Sequence, residues 1–140
     1  MITIRGKRPG DSLIDVQVRE DKIARVLPAK ATRRGRVFGS KEFYISPGFI
    51  DIQVNGFAGT DFNHPAFDGD DLVPICKALL QTGVTRFCPT LITGSEERLS
   101  RNIRQIVQAC EKHPLVRLMV LGIHLEGPYI ASEDGPRGAH

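Results

Sequence analysis

Leu118-Met119-Val120-Leu121-Gly122-Ile123 runs directly into His124-Leu125-Glu126-Gly127-Pro128. The first six residues are almost wholly apolar. Such a run reads as a strand of a parallel sheet covered on both faces, because a half-exposed strand would alternate with polar residues. The two polar residues that follow stand two apart, so their side chains share one face at the strand's carboxyl end. In parallel α/β folds that is where reactive groups gather. Function is therefore sought at strand ends, and the rest of the chain is read for more of them.

Upstream, helix and strand patterns alternate. Phe49-Ile50-Asp51-Ile52-Gln53-Val54 reads as a strand entered through Ser46-Pro47-Gly48. Leu72, Ile75, Cys76, Leu79 and Leu80 share one face at helical spacing, which predicts a helix over about 69–82 ended by Gly83. Val84-Thr85-Arg86-Phe87-Cys88 is the next strand, and Pro89 bars a simple continuation of its ladder. A second helix is expected over about 95–112. Thr93 and Glu96 fit a capping box, with Ser95 as the rival cap. Leu99, Ile103, Ile106, Val107 and Cys110 form its apolar stripe; Arg98, Arg101, Arg104 and Gln108 are expected to face water, and Pro114 lies past its end. Before all this, Leu13–Val18 and Lys22–Leu27 predict a hairpin turning at Arg19-Glu20-Asp21.

Strands alternating with helices argue for parallel βαβ units, in a doubly wound sheet or a (β/α)8 barrel. Neither a G-x-G-x-x-G fingerprint nor a P-loop is present, which weakens the nucleotide-binding version. A closed barrel needs about 250 residues. A chain of 140 residues has room for three barrel strands after its hairpin.

Composition excludes several classes. Hydrophobic residues are 41% and charged residues 25%, which is ordinary for a globular chain and too apolar for a disordered one. The net charge of +3 is too mild to imply nucleic acid. The one basic run, Lys30 with Arg33, Arg34 and Arg36, has no interleaved aromatic for base stacking and reads as a solvated loop. No apolar run approaches the ~18 residues of a membrane span, and the N-terminus has no signal-peptide core. Cys76, Cys88 and Cys110 match no zinc spacing and no paired framework; three reduced thiols in a cytoplasmic protein are expected.

Two strand ends are unusually polar. Gln53-Val54-Asn55-Gly56 places Gln53 and Asn55 on one side, with Gly56 allowing a turn or a close approach. His124 and Glu126 form the second pair. A carboxylate and an imidazole there could bind a divalent metal or move protons; the alternative is a salt-bridged glutamate beside a hydrogen-bonded histidine. His64 and His113 read as structural.

Four ordered segments together resemble the N-acetylglucosamine-6-phosphate deacetylases of the amidohydrolase superfamily. Ser46–Gly56 is similar to their first barrel strand, Gly83–Thr93 to their second, Gly122–Ile130 to their third, and Arg137-Gly138-Ala139-His140 to the segment after it. The resemblance implies an α/β fold: the N-terminal part of a metal-dependent (β/α)8 barrel, preceded by a β-hairpin portion of a small β-sandwich. Residues 1–45 would belong to the sandwich and 46–140 to the first three βα units. It implies hydrolysis of N-acetylglucosamine 6-phosphate to glucosamine 6-phosphate and acetate in the cytoplasm. Glu126 would be a metal ligand, Ala139 and His140 would contact substrate, and Gln53, Asn55 and His124 would line the pocket. Where many amidohydrolases carry His-x-His for a second metal, this chain has Gln53-Val54-Asn55, and neutral amides are poor zinc ligands. One divalent metal, zinc, is expected. The family's catalytic aspartate and two further metal-binding histidines fall beyond these 140 residues. The chain alone is thus expected to be inactive, and its open barrel edge to drive self-association. Another amidohydrolase activity, or a non-catalytic binding module, are the alternatives.

Overall fold

A computed structural model describes residues 1–30, 35–135 and 137–138. The chain divides into two compact units, Met1–Pro47 and Gly48–His140. Arg33 and Arg34 of the basic run, and Ala139 and His140, lie outside the described residues.

The first unit is a four-stranded sheet of β1 (Ile2–Lys7), β2 (Leu13–Arg19), β3 (Lys22–Pro28) and β4 (Val37–Tyr44), in the order β3-β2-β1-β4. β2 and β3 form the hairpin. Its turn is tighter than the three residues read from sequence: Arg19 pairs with Lys22, and Glu20 and Asp21 both have positive φ. That two-residue geometry follows the twist of the strands. Sequence reading missed β1 and β4. Ile2-Thr3-Ile4-Arg5 does alternate with period two. β4 is obscured by Gly39, whose φ is +83° and where an added Cβ would meet the Arg5 carbonyl oxygen at 2.3 Å. The sheet has an apolar side, on which Ile4 opposes Val16 and Phe38, and Val16 opposes Val26. On the other side Arg5 opposes Asp15, and its guanidinium grips that fully buried carboxylate at 2.8 and 3.1 Å. The bond to Asp15 raises the Arg5 pKa above its ordinary value.

The second unit holds β5 (Phe49–Val54), the small ribbon β6 (Gly56–Phe57) and β7 (Thr60–Asp61), α1 (Leu72–Gln81), β8 (Val84–Ile92), α2 (Glu96–Lys112), α3 (Pro114–Met119) and β9 (His124–Glu126). β5, β8 and β9 form a parallel sheet in chain order, with helices as the crossovers. Phe62, Leu72, Ile75, Phe87, Leu91, Ile106, Val116 and Met119 pack as its core.

Several expectations are corrected here. β8 does not stop at Cys88 but runs through Pro89. The proline sits where β5 carries an extra residue between Asp51 and Val54, and the ladder to β9 begins only at Thr90; a bulge tolerates the missing N–H. The expected strand Leu118–Ile123 is not a strand: 118–119 end a helix, 121–123 are irregular, and Leu118 and Leu121 are exposed rather than covered. Pro114 sits at the start of a helix, where its lost N–H and fixed φ cost nothing, and Val116 and Met119 are buried three residues apart on its inner face. Val120 then makes a single bridge to Phe87 before β9 forms. Ser95, not Thr93, caps α2, its hydroxyl accepting from the Arg98 N–H at 3.2 Å. Leu80 and Val107 are exposed, whereas Arg98 and Arg101 are half-buried.

Candidate active site

The carboxyl ends of β5, β8 and β9 lie side by side, and three of the expected residues meet there. β5 is irregular before its end, and the Asp51 carboxylate rather than a ladder partner accepts the Gln53 N–H, at 3.1 Å. The Gln53 side chain then reaches over β8, and its Nε2 donates to Glu126 Oε2 at 3.0 Å. His124 lies beside them: Nδ1 is 2.9 Å from the Ile52 carbonyl oxygen. A carbonyl only accepts, so that contact places the proton on Nδ1 and leaves Nε2 of the neutral ring with its lone pair. Glu126 and His124 are half-buried, which suits groups that must meet both the sheet and a ligand.

Asn55 lines a neighbouring cleft of about 680 Å³ with Phe57, Thr60, Asp61, Asn63 and Ile92. The loop that forms the cleft is tightly held. The ribbon β6–β7 turns at Ala58 and Gly59, both with positive φ. Asn63 then replaces the sheet neighbour that β8 lacks after β5 ends: its Nδ2 donates to the Thr90 carbonyl at 3.1 Å, and its Oδ1 accepts the Ile92 N–H at 2.8 Å. Buried Asn102 of α2 donates to the Phe62 carbonyl at 2.7 Å. Among the residues read as structural, His64 accepts the Ala66 N–H through Nδ1 at 3.1 Å. His113 pairs with Asp70 at 2.8 Å.

Sequence reasoning missed Asn63, Asn102, Thr93 and Arg98. Each acts through a bond to a backbone group brought close by the fold, and no spacing along the chain signals that. A divalent metal of the zinc type takes three or more protein ligands. The strand ends supply one carboxylate and one imidazole nitrogen, and no group of three His, Cys, Asp or Glu able to hold a metal stands among the described residues. The described donors alone therefore do not make up the ligand set of a zinc-type site.

These features define a class: a parallel βα-repeat protein with an amide, an imidazole and a carboxylate gathered at its strand ends. Comparison with known proteins narrows it. The chain is 44% identical over 98 residues to the N-acetylglucosamine-6-phosphate deacetylase of Rattus norvegicus, covering 69% of this chain and 23% of that protein. It is 33% identical over 96 residues to the Haemophilus influenzae protein of the same name, covering 69% and 24%. The crystal structure of N-acetylglucosamine-6-phosphate deacetylase from Pasteurella multocida matches 91% of this chain and 34% of its own, with a TM-score of 0.75 and 25% identity. That from Thermotoga maritima matches 94% and 33%, with a TM-score of 0.67 and 28% identity. No family model matches the chain. The chain belongs to the N-acetylglucosamine-6-phosphate deacetylase family, within the amidohydrolases, and spans about a quarter of the length of the sequence relatives it matches. No helix among the described residues is long and apolar enough to cross a membrane.

Proposed function

We propose that this chain supplies the first three strands of a metal-dependent (β/α)8 barrel that removes the acetyl group from N-acetylglucosamine 6-phosphate, releasing glucosamine 6-phosphate and acetate in the cytoplasm. Residues 46–140 carry the βα units, and residues 1–45 carry part of a β-sandwich. The observation that supports this reading best is the bond from Gln53 to Glu126 over β8, with His124 alongside. It gathers the polar ends of the first and third strands over one small area, as a barrel mouth requires.

Glu126 is the residue that would hold the single divalent metal, zinc in this reading. A bound metal of that kind supplies Lewis acidity and an acidified water. Gln53 fixes one Glu126 oxygen. His124 and Asn55 line the pocket, and Ala139 and His140 contact the sugar. The Arg137–His140 segment resembles the family's substrate-contacting stretch. In this reading three strands do not complete the ligand set or supply the proton-transferring carboxylate, and no acetate release is expected from the chain by itself. Its open sheet edges are completed by self-association.

The test is acetate release from N-acetylglucosamine 6-phosphate with zinc present. This chain is assayed alone and mixed with a chain carrying the remaining length of the Haemophilus influenzae relative. Activity only in the mixture, lost in Glu126→Gln, supports the reading. Equal activity from Glu126→Gln overturns the role of Glu126.

A further inference from the structure

Thr93 stands one residue past β8, just where the ladder to β9 ends at the pair Ile92–Glu126. A continuing ladder would join two backbone groups there. Instead the Thr93 hydroxyl donates to the Glu126 carbonyl at 3.2 Å. Two glycines make room for this arrangement. A Cβ on Gly127, whose φ is +90°, would stand 2.0 Å from Thr93 Oγ1. A Cβ on Gly94 would stand 2.0 Å from Arg98 Nη2. The Arg98 guanidinium therefore lies over Gly94, where Nη2 donates to the Thr93 carbonyl at 2.7 Å and to the Ile92 carbonyl at 3.4 Å. Its Nε is buried with no partner among the described residues. An unmatched buried donor is costly, and the bonds to the two carbonyls are what offset that cost. Sequence periodicity puts Arg98 in water; the fold turns it inward onto the strand end.

We infer that Thr93, held by Arg98, is a positioning residue for Glu126. The Glu126 backbone is fixed on its inner side by the ladder to Ile92 and at its carbonyl by the Thr93 hydroxyl, so the carboxylate leaves the strand toward Gln53. Groups that orient a metal ligand in this way are worth roughly 10- to 100-fold in metal affinity. The inference rests on the reading of Glu126 as a metal ligand, and the experiment separates the two.

The readout is the side-chain amide resonance of Gln53 in the full 140-residue chain, with Glu126→Gln identifying the shift that the carboxylate causes. Thr93→Val, which keeps shape and removes the hydroxyl, is expected to abolish that shift, and Thr93→Ser to retain it. Gly94→Ala, which displaces the guanidinium and leaves Thr93 in place, is expected to reduce it. An unmoved Gln53 amide in Thr93→Val, or a Thr93→Ser that behaves like Thr93→Val, overturns the inference. Should Thr93→Val not fold, Gly94→Ala decides alone, and an unmoved Gln53 amide there overturns it. Mn2+ added to this chain mixed with a chain carrying the remaining length of the Haemophilus influenzae relative tests the underlying reading by paramagnetic broadening. Broadening is expected at Glu126, with a midpoint raised roughly tenfold in Thr93→Val. Broadening centred elsewhere removes the metal reading and the positioning role with it. Broadening at Glu126 with an unmoved Gln53 amide overturns the role of Thr93 alone.

Discussion

Gln53 and Glu126 sit on strands that are not neighbours, yet Nε2 of the first donates to Oε2 of the second at 3.0 Å, with β8 between them. A bond of that length over an intervening strand needs both side chains on one face of the sheet. It also makes position 53 sensitive to charge. Gln53→Glu replaces the donor with a second carboxylate against the first. Two like charges that close raise the pKa of at least one of them. The variant is expected to lose about 1 kcal/mol of stability at pH 7.5, the scale of one unit of pKa shift, and to regain most of it only below about pH 4, under the unfolded glutamate pKa. Thermal melts at the two pH values check this. Equal losses at both would mean that the carboxylates do not meet.

Asn63 tests how the cleft loop is held. Its amide satisfies the Thr90 carbonyl and the Ile92 N–H, and it is buried. Asn63→Leu has similar volume but leaves both backbone groups without a partner, at about 1–3 kcal/mol each. A loss of about 2–6 kcal/mol is expected in urea unfolding. Asn63→Asp keeps the acceptor for Ile92 but sets a carboxylate oxygen against the Thr90 carbonyl. Its deficit should shrink on acidification, as the protonated acid becomes a donor again.

How much of this was legible in the sequence differs by level. The α1 face of Leu72, Ile75, Cys76 and Leu79 was readable because burial there follows helical periodicity. The Gln53, His124 and Glu126 positions were readable because polar residues stand out at the end of apolar runs, although the run before His124 is not the strand it was read as: His124–Glu126 is itself the strand. Pro114 was misread because a proline ends one helix and begins another with equal ease, and only the burial of Val116 and Met119 decides. Arg98 was misread because its inward turn depends on Gly94 and on two carbonyls of β8. No local pattern encodes that meeting. The hairpin was readable from its alternation, whereas β4 was hidden by the bulge at Gly39 that lets it pass the Arg5 carbonyl.

Asp70 gives an acid window. It lies in the 3-10 turn Gly69–Asp71 before α1, and its carboxylate meets Lys112 Nζ at 2.5 Å and His113 Nε2 at 2.8 Å. The bond from Lys112, then that from His113, holds its pKa below the ordinary carboxylate range. A depressed folded pKa means stability that is present above the unfolded value and lost as pH falls through the folded one. Asp70→Asn should therefore flatten the acid limb of a stability profile below about pH 4. Asp70 is exposed, so the effect should also weaken with salt. An acid limb identical in wild type and variant, at low salt, would rule the pair out as a contributor.

Self-association follows from the edge at β5. Phe49, Ile50 and Ile52 are 66%, 59% and 69% exposed on a strand paired on one side only. Leu125 on β9, the opposite edge, is 50% exposed. Apolar side chains beside unpaired backbone groups form a template for another strand, and apolar area removed from water is worth roughly 25 cal/mol per Å². Sedimentation of the chain should show mass rising with concentration. Ile52→Lys places a charge on that strand without touching the buried Val54 or the core, and it should shift the distribution toward monomer. The same substitution should leave urea unfolding of the dilute chain nearly unchanged, because Ile52 is largely in water already. A wild-type chain that remains monomeric at high concentration would mean that this edge is closed by something other than another copy. Ile52→Lys sedimenting like wild type would place the contact elsewhere, with the exposed Ile23, Val26 and Phe38 of the first unit as the next surface to charge.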